Sequence, residues 1–241
     1  MQSLSENALA RDELVRAHLS YWPCHVRTKP GGLPQPPLFT VGDSRKSWDV
    51  LATLRLLEAE RLQRETVVDF GAFASEILCC LHRAGFKRLV GIDLNPAVKD
   101  MPLADAIEWR VGDMMATGLP AGSAGAVTSI SAIEHGFDLE RLLAEVARLL
   151  RPAGLFVGST DYWPEKIDTS GLEVLGMNWC IFSETEIRRF IDGAGRFGLF
   201  PVGDVECGAG ARCIDYENRQ YTFGWFALRK RSRGHQPCGP Q

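Results

Sequence analysis

Four places along this 241-residue chain carry side chains that can do chemistry, and each one follows an apolar run. The first is Asp69-Phe70-Gly71-Ala72-Phe73-Ala74-Ser75-Glu76. Gly71 and Ala72 are small enough to let a ligand approach the backbone, and the loop feeds a helix start. Phe73 stands where the dinucleotide signature G-x-G-x-x-G has its second glycine, so that signature is absent. The second is Asp93, which closes Gly91-Ile92-Asp93 about 20 residues past the glycine turn. A carboxylate there accepts two hydrogen bonds from vicinal ribose hydroxyls and points to an adenosine-containing ligand. The third is Gly112-Asp113-Met114-Met115, where Asp113 can accept from an exocyclic amine while the methionines press on a flat ring. The fourth, Ser131-Ala132-Ile133-Glu134-His135, offers a hydroxyl, a carboxylate and an imidazole. His135 is the first choice for a general base near pH 7, with Glu134 or Asp161 behind it. Plainer readings stay open: a strand-end carboxylate for Asp93, and a loop histidine bonded to backbone for His135.

The elements that must hold these residues alternate. Short apolar strands are expected at residues 66–70, 88–93, 107–111, 125–131 and 155–160, with further strands at 202–207 and 221–229. Helices are expected at 47–63 with Ser47 as N-cap, at 75–84 closed by Gly85, at 138–151 capped by Asp138, and at 183–194. Strands alternating with helices give a largely parallel sheet covered on both faces, and ligands bind such sheets at the carboxyl ends of the strands. The last two strands have no helix between them and form an antiparallel pair at the sheet edge. Residues 1–20 read as an amphipathic helix with Leu9, Leu14, Val15 and Leu19 as its apolar positions, and the proline-rich stretch 21–40 reads as an irregular connector.

Composition narrows the class. Hydrophobic residues are 45% and charged residues 24%, enough to bury a core, which excludes a disordered chain. The net charge of −3, from 27 basic and 30 acidic residues, disfavours a dedicated nucleic-acid binder. No apolar run reaches membrane-spanning length, and the start has no apolar signal core. Seven cysteines without C-x-x-C spacing are read as reduced thiols in a cytoplasmic protein, and no metal is predicted.

The order of the four features resembles the class I S-adenosylmethionine-dependent methyltransferases, over roughly residues 64–230. The resemblance implies an α/β, Rossmann-like, seven-stranded, mostly parallel sheet with an antiparallel last hairpin and helices on both faces. It implies that Gly71 and Ala72 carry the methionine part of the cofactor, Asp93 the ribose, and Asp113 with Met114 the adenine. It extends the cofactor set to Asp69, Ser75, Leu94 and Ser131. Asp69 to Glu76 and Asp161 to Gly171 are similar to segments of a bacterial subgroup connected with small-molecule or glycan-modifying pathways. Two departures stand out. Phe73 and Ser75 replace glycines of the usual loop, and Glu134-His135 resembles half of a metal site in RNA-terminal methyltransferases without its remaining ligands.

The expected domain plan is an N-terminal helical extension and connector over 1–63 that forms a lid, a methyltransferase-like domain over 64–230, and a frayed tail over 231–241. Tyr21, Trp22 and Lys46 are candidates within the lid. Residues 161–182 form an aromatic insertion over the substrate, with Tyr162, Trp163, Lys166 and Trp179 as its binding residues. The expected activity is methyl transfer to an oxygen or nitrogen, less favourably a carbon, of a small molecule or sugar, yielding S-adenosylhomocysteine. The alternatives are a non-catalytic binding protein on this fold and, more remotely, a nicotinamide oxidoreductase or nucleic-acid methyltransferase. A monomer or homodimer is expected.

Overall fold

The computed structural model describes residues 3–27, 38–174 and 176–232. The tail from residue 233, with Cys238 and His235, and most prolines of the connector lie outside the described residues. The chain runs α1 (Leu4–Arg16), β1 (Cys24–Arg27), β2 (Leu38–Val41), α2 (Ser47–Ala59), β3 (Thr66–Phe70), α3 (Ile77–Arg83), β4 (Arg88–Asp93), β5 (Ile107–Val111) and β6 (Ala124–Ile130). It continues through α4 (Leu139–Leu149), β7 (Leu150–Tyr162), β8 (Glu173–Val174), β9 (Met177–Asn178), α5 (Glu184–Arg196), β10 (Leu199–Pro201), β11 (Ile214–Tyr216) and β12 (Arg219–Lys230).

The main sheet has the order β10-β12-β7-β6-β3-β4-β5, with β11 added on β12. The five strands from β5 to β7 are parallel, and β12 runs antiparallel to both β7 and β10. This is the mostly parallel sheet with a closing antiparallel pair that the sequence implied. Its strand order reverses between β3 and β6, the switch point where open sheets of this kind take their ligands.

Side-chain alternation sorts the core into two layers. Val67, Ala126, Leu155 and Val157 face α1, α2 and α3, packing with Leu14, Val50, Leu54 and Leu57. Val68, Val127 and Phe156 face α4 and α5, packing with Leu142, Val146 and Phe190. Helix starts follow their caps. Asp138 accepts from the Arg141 N–H, and Ser183 with Glu186 forms a reciprocal capping box.

The N-terminal region departs from the sequence reading. Leu9 and Val15 are exposed, while Ala10 and Leu14 are buried, so the apolar side of α1 is rotated from the expected one. The connector holds an antiparallel pair, β1 with β2. Ser47 is the first residue of α2 and not its cap, and Lys46 holds the cap position without a capping side-chain bond. Asn7 of α1 takes over that role. Its Oδ1 accepts from the N–H groups of Ser47 and Trp48, both at 3.0 Å, and its amide donates to the Ser44 carbonyl at 2.7 Å. The strand expected at 202–207 is instead β10 at 199–201, because pairing with β12 in the register Leu199 to Lys230 decides its place.

Glu76, 2% exposed and just ahead of α3, ties this region to the sheet. Its carboxylate pairs with Arg11 at 2.7 Å and accepts from the backbone N–H groups of Tyr21 and Trp22, both at 3.0 Å. Arg11 also donates to Ser47 Oγ at 2.8 Å and to the Asp43 carbonyl at 3.2 Å. Breaking one side of such a pair leaves a buried charge alone. Arg11→Met is expected to cost about 3 kcal/mol or more in denaturant unfolding. A change under about 0.5 kcal/mol would show that the pair does not hold the region in place.

Candidate functional site

The carboxyl edge of the sheet gathers most of the residues singled out by the sequence. At the end of β3 the chain turns through Gly71, whose φ is +71°. A Cβ on Gly71 would lie 2.4 Å from the Cβ of Ala132, so both the turn and the close approach require glycine. The Gly71 and Ala72 N–H groups donate to the Ile92 carbonyl at 3.0 and 3.1 Å, which folds the loop over the end of β4. Asp93 accepts from the Phe73 N–H at 2.9 Å through Oδ2 and from the Asn95 N–H at 2.7 Å through Oδ1. Its carboxylate is thereby fixed at the strand end, with lone pairs left for further donors. Leu94 beside it is exposed. Asp113 accepts from the Met115 N–H at 2.8 Å, lies 3.4 Å from Arg141 and is followed by the half-buried Met114.

Asp69 is buried at the centre of this edge. Its Oδ1 accepts from the Thr128 hydroxyl at 2.7 Å, while Oδ2 has no hydrogen-bond partner. Burial, with the Asp93 charge adding to it against the Thr128 and Ser75 hydroxyls, pushes the Asp69 carboxyl up to about 7. Ser75 itself is half-buried at the loop's end.

A second group forms where β6 and β7 end. Ser131 leaves β6 with φ +50°, and its N–H donates to the Ser159 carbonyl at 3.0 Å. The Lys46 ammonium hydrogen-bonds to Ser131 Oγ, lies 3.1 Å above the Phe223 ring centroid and stands 3.9 Å from Asp161. Asp161 accepts from Trp179 Nε1 at 2.8 Å and from the Tyr221 hydroxyl. Glu134 is fully enclosed and accepts from the Thr160 hydroxyl at 3.4 Å. Burial raises both the Asp161 and Glu134 carboxyls, and their mutual repulsion raises Glu134 further against the pull of Lys46. Burial lowers the His135 imidazole, with the Lys46 charge adding to the effect and Asp161 opposing it. His135 is therefore neutral at pH 7, and its Nδ1 is enclosed without a partner.

Alternation separates the expected substrate residues. β7 runs two residues further than expected, through Tyr162, so Asp161 faces α2 while Tyr162 packs on the α4 and α5 side. The Tyr162 hydroxyl donates to the Cys207 carbonyl, which places it in the core and not beside Asp161. Lys166 is held by Glu186 at 2.9 Å and the Ile181 carbonyl at 3.2 Å, and so ties the insertion to α5. The Trp163 ring lies under Arg212 at 4.3 Å. Only Trp179 of the four is bonded to Asp161. Tyr221, Phe223 and Asp49, which accepts from Ser159 at 2.6 Å, were not singled out by the sequence. Tyr221 and Phe223 lie far from the glycine loop along the chain and are brought in by the β7–β12 register, while the start of α2 brings in Asp49. A cavity of about 510 Å³ opens at the opposite edge, around the first residues of β3, β4 and β5, away from all of these groups.

Strand order, the glycine turn at a switch point and carboxylates after β4 and β5 are those of the class I S-adenosylmethionine-dependent methyltransferase fold. Residues 68–158 match the model of the methyltransferase domain family. An S-adenosylmethionine-dependent methyltransferase from Mesorhizobium loti shares 18% identity, with 77% of this chain and 98% of that one covered at a TM-score of 0.54. The 1,6-didemethyltoxoflavin N1-methyltransferase of Burkholderia thailandensis, solved with 1,6-didemethyltoxoflavin and S-adenosylhomocysteine, shares 16% over 96% of this chain and 92% of its own, at 0.57. The cyclase SpnF shares 12% over 96% and 99%, at 0.58. At these identities the likeness is one of fold. No curated protein sequence matches the chain. Among the described residues no helix is long and apolar enough to cross a membrane.

The Asp69 carboxyl has a consequence for stability. Its pKa is higher folded than unfolded, so the folded state keeps a proton that the unfolded chain releases between about pH 4 and 7. Stability falls as pH rises through that window, by roughly 4 kcal/mol if Asp69 keeps its full shift. Asp69→Asn is expected to flatten the fall in unfolding free energy between about pH 4 and 8, while Glu134 and Asp161 keep their shares of it. An unchanged pH profile in the variant would contradict this assignment.

Proposed function

We propose that the chain transfers a methyl group from S-adenosylmethionine to an oxygen or nitrogen atom of a small molecule or sugar. The observation that carries this reading is the enclosed group of Ser131, Glu134, His135 and Asp161, walled by Trp179, Tyr221 and Phe223, directly beside the Gly71 turn. Aromatic walls with a few converging polar groups describe a small-molecule pocket.

The residues present fit the cofactor. The Gly71 turn ends β3 at the switch point, Asp93 offers fixed acceptors to vicinal hydroxyls, Asp113 with Met114 suits an adenine, and the unpartnered Asp69 Oδ2 suits an ammonium group. Bound S-adenosylmethionine supplies an electrophilic methyl group and is left as S-adenosylhomocysteine. The chain's own residues then align the acceptor, exclude water and remove its proton. Neutral His135 takes that proton at Nδ1, and Asp161 favours the imidazolium that results.

Calorimetry with S-adenosylhomocysteine tests the cofactor site: wild type gives saturable heat, and Asp93→Ala weakens binding by about tenfold or more. Folded protein without heat overturns the reading. Transfer from radiolabelled S-adenosylmethionine into a small-molecule extract tests the reaction. His135→Ala is expected to cut that transfer about 100-fold while binding S-adenosylhomocysteine normally. Wild-type transfer should persist to lower pH than an ordinary imidazole base allows, because burial shifts His135 down. Label appearing only in macromolecules would overturn the small-molecule acceptor.

A further inference from the structure

Resting on the cofactor site just described, we propose that Lys46 is a cofactor-binding residue. Its ammonium pairs with the carboxylate of the cofactor's methionine part, so the N-terminal segment completes the site.

The argument begins with a missing charge. The amino-acid end of S-adenosylmethionine carries a carboxylate and an ammonium. Residues 69–76 contribute two carboxylates and no lysine or arginine, and residues 131–135 contribute only His135, which is neutral. The strand ends around the switch point thus answer the ammonium, through Asp69, and leave the carboxylate without a counter-charge. Nearby cations from the N-terminal segment are already committed: Arg11 to Glu76 at 2.7 Å, and Arg45 to Asp43 at 2.7 Å.

Lys46 is delivered to that place. Its ammonium rests on Ser131, next in the chain to Ala132, which packs directly against Gly71. It is not simply the partner of Asp161. The 3.9 Å separation is beyond hydrogen-bonding distance, and Asp161 already accepts from Trp179 and Tyr221. The backbone around Lys46 is built to present it. Lys46 ends a 3-10 turn over Ser44–Lys46 that Asp43 caps and that runs straight into α2, and Asn7 accepts from the Ser47 and Trp48 N–H groups at that junction. Arg11 then ties residues 43 and 47, on both sides of Lys46, to Glu76 at the end of the cofactor loop. Cap and anchor together leave the Lys46 side chain free to reach over the strand ends.

The test is calorimetric titration of the full chain, Lys46→Met and Lys46→Arg with three probes. S-adenosylmethionine has the carboxylate, decarboxylated S-adenosylmethionine lacks only that group, and 5′-methylthioadenosine lacks the whole amino-acid end. Lys46→Met is expected to weaken S-adenosylmethionine about tenfold or more, with the other two changed by less than about twofold. Lys46→Arg is expected to keep most of the wild-type preference for the carboxylate. Unchanged binding of 5′-methylthioadenosine shows that the variant is folded. Equal weakening of all three probes, or no weakening of S-adenosylmethionine, overturns the assignment. Wild-type protein that binds none of the three overturns the cofactor site itself, which keeps the two failures apart.

Discussion

Everything at the carboxyl edge depends on one buried carboxylate. Glu76 sits where the glycine loop becomes a helix, almost sealed from water, and an isolated charge in that position is costly. Arg11 and two backbone N–H groups from residues 21 and 22 satisfy it. The loop after β3 and the N-terminal segment are therefore tied to each other through that charge. A structural ion pair and a functional site become one unit.

The same logic of buried charge explains the second half of the edge. Asp69, Glu134 and Asp161 are all removed from water, and each is shifted toward its neutral form. Hydroxyls from Thr128 and Thr160 and ring donors from Trp179 and Tyr221 partly offset the cost. The remaining mismatch stays where ligands with complementary charge can use it.

Much of this was legible in the sequence because it is local. β3, β4 and β5 lie where their apolar runs end, and Gly71, Asp93 and Asp113 follow from those ends. What escaped is set by pairing at a distance. β7 continues to Tyr162 because β12 pairs with it there, Thr222 opposite Tyr162 and Phe223 opposite Asp161. The two added strand residues, Asp161 and Tyr162, then point to opposite faces. The rotated face of α1 has a similar origin, since the bonds of Asn7 and Arg11 to the start of α2 and to Glu76 fix its orientation and no periodicity records them. Lys46 could be named as a lid residue but not placed, because its position follows from a cap supplied by another helix.

The borrowed cap of α2 also bears on how the molecule is made. α1 is made before the sheet, but at 13 residues it is too short to hold a helix well alone, and its partner Glu76 follows 65 residues after Arg11. Asn7 can meet Ser47 and Trp48 before any parallel strand is made, whereas Arg11 must wait for Glu76, past β3. The Arg11 anchor is thus seated only after the loop beyond β3 exists. A nascent or nicked molecule can own a formed sheet while its edge is still open, and seating of the amino-terminal segment separates a folded sheet from a finished one.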